Sequence, residues 1–427
     1  MKFKQALLHN TSWKMLALLF TFLNNILIVR ILGVEASAVF FYAIAIFILF
    51  STILKFGLEN GIVYVLSKNS QSIKSVSYFL LLFFVAQTFI TAVILKYFIK
   101  EIQGFTFYWV LVYVLSNIML YYVNAYYQVK KMFISLNVLS AVTVIIQTFL
   151  LMTIYFCDKS FFVTLGITKS KIDVVLIISA GTIFLQIILL ILFFYTTNKN
   201  DFIVPYSKDS SIKKLFSYSI LNFIITVLFF LVLRTDLYFV EKYCTKVGLA
   251  NYLQAAKIGQ MLLIFPGLIA GVIFPYTIND SKALAGKVAY LCRGLTFLYL
   301  IIFLVFLGFG KFVFPWMLGK DFNLMYEIFA ISFVGVYCLS ISLLIISYFE
   351  GTNKQKIIIW SFLSVLFVVV IADYFLVPKY GYTGAAAIFS IANLSGLAIL
   401  FNTFKKETEI NFTDMFIVKQ TDFNLLN

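Results

Sequence analysis

An arginine and an aspartate, Arg234 and Asp236, directly follow nineteen residues without a charge, Leu215 to Leu233. A run of that length can cross a bilayer as a helix, and a charged side chain inside the membrane costs about 2.5–3.5 kcal/mol on insertion scales. Two residues apart on one helix, these side chains point in different directions and pair poorly. Each therefore needs a partner on another helix, a water-filled cavity or the membrane surface.

Two interpretations of this pair are open. Arg234 stands at the outer end of the seventh charge-free run, so its long side chain could reach the lipid headgroups. Asp236 is too short to do the same, which favours a role in a cavity. A cavity with an arginine suits an anionic cargo, because a guanidinium binds phosphate oxygens through two parallel hydrogen bonds.

Lys257 is a further candidate, since it is predicted to lie about two turns inside the outer boundary of the eighth helix. The same helix contains "PGLIAGVIFP", in which two prolines remove backbone donors and two glycines loosen the packing. Broken helices near the midplane commonly line the substrate path of transporters. We predict a broken, gating helix at Pro266, Gly267, Gly271 and Pro275. The alternative is an ordinary proline kink with Lys257 at the interface.

Polar residues of the N-terminal half also need a reason. Lys55 and Glu59 are four residues apart and share one helix face, which favours an interfacial ion pair over a role in a cavity. Asn24 and Asn25 lie in a fifteen-residue run without a charge. Their amides can hold two helices together, or they can face the same cavity as Arg234 from the opposite half of the protein.

Composition assigns the chain to the membrane. It has 427 residues, of which 62% are hydrophobic and only 12% are charged, whereas soluble domains are about half apolar and a quarter charged. The net charge of +15 comes from lysines scattered in short connectors, which indicates orientation in a membrane and no nucleic-acid partner. The single histidine, His9, and four widely separated cysteines predict no metal site, no cofactor and no catalytic triad.

Counting residues between charges predicts the number of spans. Twelve charge-free windows occur, and several are twice the length of a β-barrel strand, which predicts an all-α bundle of about twelve transmembrane helices. The windows are 15–29, 36–54, 75–95, 102–129, 132–157, 174–198, 215–233, 258–279, 294–310, 328–349, 357–372 and 380–404. The connectors are too short for an extramembrane domain.

The distribution of lysine and arginine predicts the orientation. With the N-terminus inside, 19 of these residues fall on the cytoplasmic side and 11 on the other, leaving out Lys55, Arg234 and Lys257. Positive charge concentrates on the cytoplasmic side of membrane proteins. We therefore expect both termini in the cytoplasm.

The two halves of the chain resemble one another. Residues 34–66 align with residues 247–279 at an offset of 213, and six helices separate the two blocks. This predicts two six-helix lobes, 1–200 and 201–427, that are parallel repeats around a central cavity. Chance similarity between two apolar segments is the alternative explanation.

Several blocks together resemble the bacterial polysaccharide-repeat flippases, the O-antigen and capsule transporters in the superfamily that also includes multidrug and toxin extrusion pumps. The likeness follows the order of the blocks along nearly the whole chain, and "VPKYGYTGAAAI" is its best single motif. One departure is "GVEASAVF", where relatives often have a Tyr-Gly or Phe-Gly before the aromatic residue. The blocks are 29–47, 234–260, 317–322, 351–356 and 377–388.

The resemblance implies a function. Such a protein moves an undecaprenyl-pyrophosphate-linked oligosaccharide across the bacterial inner membrane by alternating access, beside membrane lipids and with a polysaccharide polymerase and a chain-length regulator as partners. It is not an enzyme. The resemblance assigns Arg234 and Lys257, with Arg30 and Lys55, to the pyrophosphate or acidic sugars. It assigns Asp236 either to ion coupling or to a helix contact.

Two other classes compete with the flippase. A drug/cation antiporter of the multidrug and toxin extrusion type needs carboxylates in its cavity, and the candidates here are Glu59, Asp236 and Asp373. A polysaccharide polymerase or lipid-sugar glycosyltransferase usually has a large outer loop, whereas the longest outer connector here has sixteen residues. The flippase is the favoured function. The sugar and the coupling ion are not encoded in any recognisable motif.

Overall fold

The computed structural model describes residues 3–68, 73–98, 105–130, 132–156, 170–198, 211–277, 281–352 and 354–417. Every regular element in these ranges is helical, so the predicted all-α membrane fold is confirmed. The chain divides into two compact units, Met1–Val227 and Leu228–Asn427. The predicted boundary between residues 200 and 201 lies outside the described residues and stays a prediction.

The first unit is built from long apolar helices that pair along the chain. Helix α1 packs on α6, α5 on α7, and α3 on α5. Tyr127 in α5 is fully buried, and its hydroxyl donates a hydrogen bond to the Leu190 carbonyl of α7 at 2.8 Å. The helices are α1 (Phe3–Leu32), α2 (Val34–Leu54), α3 (Leu58–Lys68), α4 (Ile73–Phe98), α5 (Phe107–Val129), α6 (Phe133–Phe156), α7 (Lys171–Thr197) and the first part of α8 (Ser211–Val232).

A break separates α2 from α3. Phe56 and Gly57 adopt positive φ angles of 52° and 63°, a conformation that few residues other than glycine adopt. Gly57 and Gly61 then lie against α8, where a Cβ at Gly61 would come within 2.8 Å of the Leu215 carbonyl oxygen. Small residues four apart let membrane helices approach this closely. The glycines therefore fix α3 against α8.

The second unit is packed around α12. Helix α12 contacts α10, α11 and α13, and α13 also packs on α9. At Gly335 in α12, a Cβ would come within 2.6 Å of the Phe389 ring, and the Gly335 N–H donates to Ser390 Oγ at 3.1 Å. The remaining helices are α9 (Thr235–Tyr243), α10 (Lys246–Thr277), α11 (Ser281–Leu318), α12 (Met325–Gly351), α13 (Gln355–Thr408) and α14 (Phe412–Phe416).

Helix α13 accounts for two of the predicted windows. Its 54 residues would extend about 80 Å as one straight helix, far more than the 30 Å core of a bilayer. Gly381, with φ 58° and ψ −143°, divides it into two helices. Eleven helical segments of the described residues are long and apolar enough to cross a membrane, and counting α13 twice gives the predicted twelve. The chain is a multi-pass membrane protein.

The predicted interruption of the eighth helix does not occur. Helix α10 continues from Lys246 to Thr277 through all four predicted positions, Pro266, Gly267, Gly271 and Pro275. A proline within a helix leaves the carbonyl four residues earlier without its backbone donor, which here is the Leu262 carbonyl. The Tyr299 hydroxyl donates to that oxygen at 3.0 Å, so the acceptor freed by Pro266 is satisfied by a neighbouring helix. The proposed gating role of these residues stays a prediction.

Candidate functional site

The seventh span is interrupted at the charged residues. Helix α8 ends at Val232 and α9 begins at Thr235, with Arg234 in a non-helical conformation between them (φ −140°, ψ −11°). The span as a whole runs from Ser219 to Tyr243. Helix α9 thus continues the apolar segment beyond Arg234. The predicted position of Arg234 near the outer end of the membrane stays a prediction.

Arg234 is held by a side chain of α10. Its Nη2 donates a hydrogen bond to Oε1 of Gln260 at 2.8 Å, and the residue is half-buried. A guanidinium carries five donors, and this bond uses one of them. This bond orients the guanidinium toward α10 within the second unit. Whether Arg234 faces a cavity or the headgroups stays a prediction.

A second cation belongs to the same cluster. Lys257 lies on α10, about one turn before Gln260, and is partly buried. It is within electrostatic reach of Arg234. Two like charges repel more strongly in a membrane protein than in water, since the local dielectric constant is lower.

Asp236 is buried beside these cations, with 4% of its surface exposed. Its Oδ1 accepts the Leu237 backbone N–H at 2.8 Å, and its Oδ2 accepts the Tyr252 hydroxyl of α10. The carboxylate lies in the first turn of α9, where the helix dipole favours negative charge. The structure thus gives Asp236 partners on its own helix and on α10.

Asp373 completes the cluster from α13. It is fully buried, at 0% exposure, and it lies within electrostatic reach of Asp236. Among the residues that the structure describes, none forms a hydrogen bond with either of its carboxylate oxygens. Burying a carboxylate without partners costs several kcal/mol, and a bound proton or a small cation would offset that cost.

A small cavity adjoins this cluster. It has a volume of about 30 Å³ and is lined by Asp236, Tyr252, Gln260 and Ser332 together with apolar residues of α10, α12 and α13. A cavity of that size with several polar groups can hold a single water molecule. The carboxyl group of Asp236 consequently has space beside it for a water or a small cation.

Lys55 belongs to a separate cluster in the first unit. It is buried, at 4% exposure, and its Nζ lies 2.5 Å from Glu59 Oε1 and 3.8 Å from the centre of the Tyr121 ring. The structure thus contains the predicted ion pair. Because Lys55 is buried, Glu59 is largely buried and the pair spans the break between α2 and α3, it contributes to holding that break.

Gln87 secures the same break from α4. Its Nε2 donates to the Leu54 carbonyl at 2.5 Å and to the Tyr122 hydroxyl at 2.7 Å. Tyr122 in turn donates to the Lys55 carbonyl at 3.4 Å. The last carbonyls of a helix lack intrahelical donors. At the end of α2, the side chains of Gln87 and Tyr122 donate hydrogen bonds to these carbonyls.

The other predicted polar residues are on α1. Asn24 is buried, and its Nδ2 donates to the Val144 carbonyl of α6 at 3.4 Å, which agrees with the interpretation that it joins two helices. Asn25 is also buried. Arg30 is exposed in the last turn of α1, where the helix dipole favours a cation.

Sequence reasoning missed several residues of these clusters. Gln260 and Tyr252 are uncharged, and no charge-based search identifies them. Gln87 lies inside the charge-free window 75–95. Its polar amide in an apolar run could have identified it as a buried hydrogen-bonding residue. Asp373 borders the window 357–372. The sequence identified it only as one of the carboxylates that a drug/cation antiporter would need.

Solved structures share this fold. An outward-facing multidrug-resistance MATE transporter of the MOP superfamily matches with a TM-score of 0.66 and 13% identity, over 95% of this chain and 96% of that one. A MOP-superfamily transporter from Pyrococcus furiosus, described as having a binding pocket of reverse polarity, matches with a TM-score of 0.63 and 14% identity over 95% and 96%. The lipid II flippase MurJ matches with a TM-score of 0.58 and 16% identity over 93% and 87%.

These likenesses establish the fold. Identities of 13% to 16% are too low to carry a substrate from one protein to another, since one fold supports many functions. No protein-family model matches the sequence, and no curated protein matches it in a sequence search. The chain has the fold of helical membrane transporters, a fold that drug pumps and a lipid flippase share.

Proposed function

We propose that this protein is a flippase that moves undecaprenyl-pyrophosphate-linked oligosaccharide repeat units across the bacterial cytoplasmic membrane without an enzymatic step. The observation that carries the proposal is that Arg234 donates a hydrogen bond to Gln260 of α10, three residues after Lys257 on that helix, with both cations in segments long and apolar enough to cross a membrane. Cations in such segments are costly and mark substrate paths. A pyrophosphate offers negative oxygens to both side chains at once.

The geometry gives each residue a role in that proposal. Gln260 orients the guanidinium of Arg234, whose planar group matches two phosphate oxygens. Lys257 supplies a point charge to the same headgroup. Alternating access then carries the bound headgroup across while the lipid chain stays in the bilayer. We expect the polymerase and the chain-length regulator to receive the product on the outer side.

The carboxyl pair provides a means of coupling. Within the described part of the chain, no residue forms a hydrogen bond with the carboxylate of Asp373, so a cation that binds beside it and Asp236 would offset a large desolvation cost. A cation bound at these residues would attract an anion bound at Arg234 and Lys257, so binding of one would favour binding of the other. We infer that an inward cation gradient drives the cycle.

The test uses cells that lack the native gene and carry single variants. We expect Arg234→Ala and Lys257→Ala each to reduce surface polysaccharide to below about a tenth of wild type, because a charge-assisted hydrogen bond contributes roughly 1.5–3 kcal/mol. Lys242→Ala is the matched control, since Lys242 is an exposed cation on α9. Membrane insertion is measured by quantitative immunoblotting. Normal polysaccharide in both variants at normal protein levels would refute the assignment.

A second candidate function, a drug/cation antiporter, is favoured by one observation. Asp236 and Asp373 are both buried and lie within electrostatic reach of each other, and a carboxylate pair suits the binding of an organic cation. The cationic side chains Arg234 and Lys257 in the same cluster oppose a cationic drug. For this reason we place the anionic lipid substrate first.

A further inference from the structure

The first unit contains a cleft that the proposed function does not use. It has a volume of about 410 Å³ and lies between α4, α5 and α7, within the range of about 300–1,000 Å³ typical of ligand sites. Its lining is almost entirely apolar. Its lining includes Ser77, Leu81, Phe84, Tyr122, Tyr126 and Tyr195.

The cleft opens away from the packed interior of its unit. Leu81 on its rim is 63% exposed, and Leu192 and Tyr195 on the opposite rim are exposed as well. All three belong to membrane-spanning helices, where the surrounding medium is lipid hydrocarbon. The occupant of an apolar cleft in that position is a hydrocarbon chain.

The length of the cleft fits one leaflet. From Ser77 to Phe84 along α4 is seven residues, or about 10 Å, which is less than the roughly 15 Å of hydrocarbon in half a bilayer. Tyr122 lines the cleft further inward than Tyr126, and its hydroxyl accepts a hydrogen bond from Gln87. A single chain entering from one leaflet can therefore extend along the cleft.

The open end of the cleft lies where three helices terminate. Ser77 is four residues from the start of α4, Tyr126 three from the end of α5, and Tyr195 two from the end of α7. The Ser77 and Tyr126 hydroxyls are 2.7 Å apart and hydrogen-bonded. Lys74 is exposed at this end, and Lys130 caps α5 there. Both positive charges complement an anionic headgroup.

We propose that this cleft binds one acyl chain of an anionic phospholipid, whose headgroup lies beside Lys74 and Lys130. The two lysines are on the side that the charge distribution assigns to the cytoplasm. Tyr122 connects the cleft to the break between α2 and α3, since its hydroxyl also donates to the Lys55 carbonyl. An occupied cleft would therefore stabilise that break. The proposal does not depend on which substrate the protein transports.

The experiment is native mass spectrometry of the full chain in detergent with phosphatidylglycerol, phosphatidylcholine or a polyprenyl phosphate. We expect one phosphatidylglycerol to remain bound in preference to phosphatidylcholine. Leu81→Trp should abolish that binding by filling the cleft. Val85→Trp, one turn further along α4 at 62% exposure and outside the cleft, should leave it intact.

The headgroup is tested separately. Lys74→Gln should lower the preference for phosphatidylglycerol roughly fivefold, the effect of one lysine near an anionic lipid surface, while Lys96→Gln at the opposite end of α4 should not. Circular dichroism confirms that the variants keep their helix content. Equal binding of both phospholipids, wild-type binding by Leu81→Trp, or displacement of phosphatidylglycerol by stoichiometric polyprenyl phosphate would each overturn the proposal.

Discussion

The candidate site consists of five side chains of the second unit. Arg234, Lys257 and Gln260 form a basic group, and Asp236 and Asp373 form an acidic one. The basic group suits an anionic headgroup, and the acidic group suits a proton or a cation. Because each charge lies in a membrane-spanning segment, each carries a desolvation cost that only a partner or a ligand offsets.

A substitution of Asp373 distinguishes the two candidate functions, flippase and drug/cation antiporter. In a gradient-coupled flippase, Asp373→Asn should leave binding of a pyrophosphate lipid within about twofold of wild type and reduce gradient-driven transport on the order of tenfold, a change of about 1.4 kcal/mol. The measurements are lipid binding in detergent and transport in proteoliposomes with and without an imposed gradient.

The matched control for this prediction is Asp321→Asn. Asp321 is an exposed carboxylate of the same unit, and its loss should change neither measurement. Absence of pyrophosphate-lipid binding by the wild type, combined with loss of drug transport in Asp373→Asn, would favour the antiporter. Gradient-driven transport that is unchanged in Asp373→Asn would argue against the coupling role.

At the scale of elements, two interruptions define the functional regions. The break at Arg234 separates α8 from α9 and presents a guanidinium inside a span. The break between α2 and α3 is closed by Lys55, Glu59 and Gln87. Both breaks leave backbone groups without helical partners, and side chains or short turns supply those partners in each case.

The close packing of α3 on α8 should be sensitive to added volume. We expect Gly61→Leu to destabilise the protein by roughly 1–3 kcal/mol, the usual cost of overpacking, because the Leu215 carbonyl occupies the space of a Cβ. The matched control is Gly181→Leu in α7, where a Cβ would meet no atom within 4 Å.

Thermal unfolding in detergent, followed by the loss of monodisperse protein, measures the difference between these two variants. Gly61→Leu should show a clearly lower transition temperature than Gly181→Leu. Equal transition temperatures would mean that α3 and α8 are not held as closely as the structure indicates.

At the scale of the whole molecule, the number of spans decides the topology. Twelve spans place both ends of the chain on one side of the membrane, whereas counting α13 as a single span gives eleven and places them on opposite sides. The kink at Gly381 is therefore the feature on which the orientation of the C-terminus depends.

Reporter fusions test this topology. With the N-terminus in the cytoplasm, as the excess of lysine and arginine predicts, alkaline phosphatase should be active when fused after Lys379 and inactive after Asn427, while a fluorescent-protein fusion after Asn427 should fluoresce. Activity of the phosphatase after Asn427 would indicate an odd number of spans. An inactive phosphatase after Lys379 would contradict the interpretation that α13 forms two spans.

The sequence by itself determined the fold class and the twelve spans. Hydrophobic length between charges is a local property, and the bilayer sets a fixed threshold for it. The charged residues Arg234, Asp236 and Lys257 were found in the same way, because a charge next to an apolar run is visible without any knowledge of its neighbours.

Only the tertiary structure decided which hydrogen-bond and charge partners those residues have. Gln260 lies 26 residues from Arg234 and Asp373 lies 137 from Asp236 along the chain, and no periodicity connects such positions. The carbonyl that Pro266 leaves without a backbone donor is satisfied by the Tyr299 hydroxyl of another helix. Long-range contacts satisfy buried polar groups in a membrane, so the partners of these groups are determined by packing and not by local sequence.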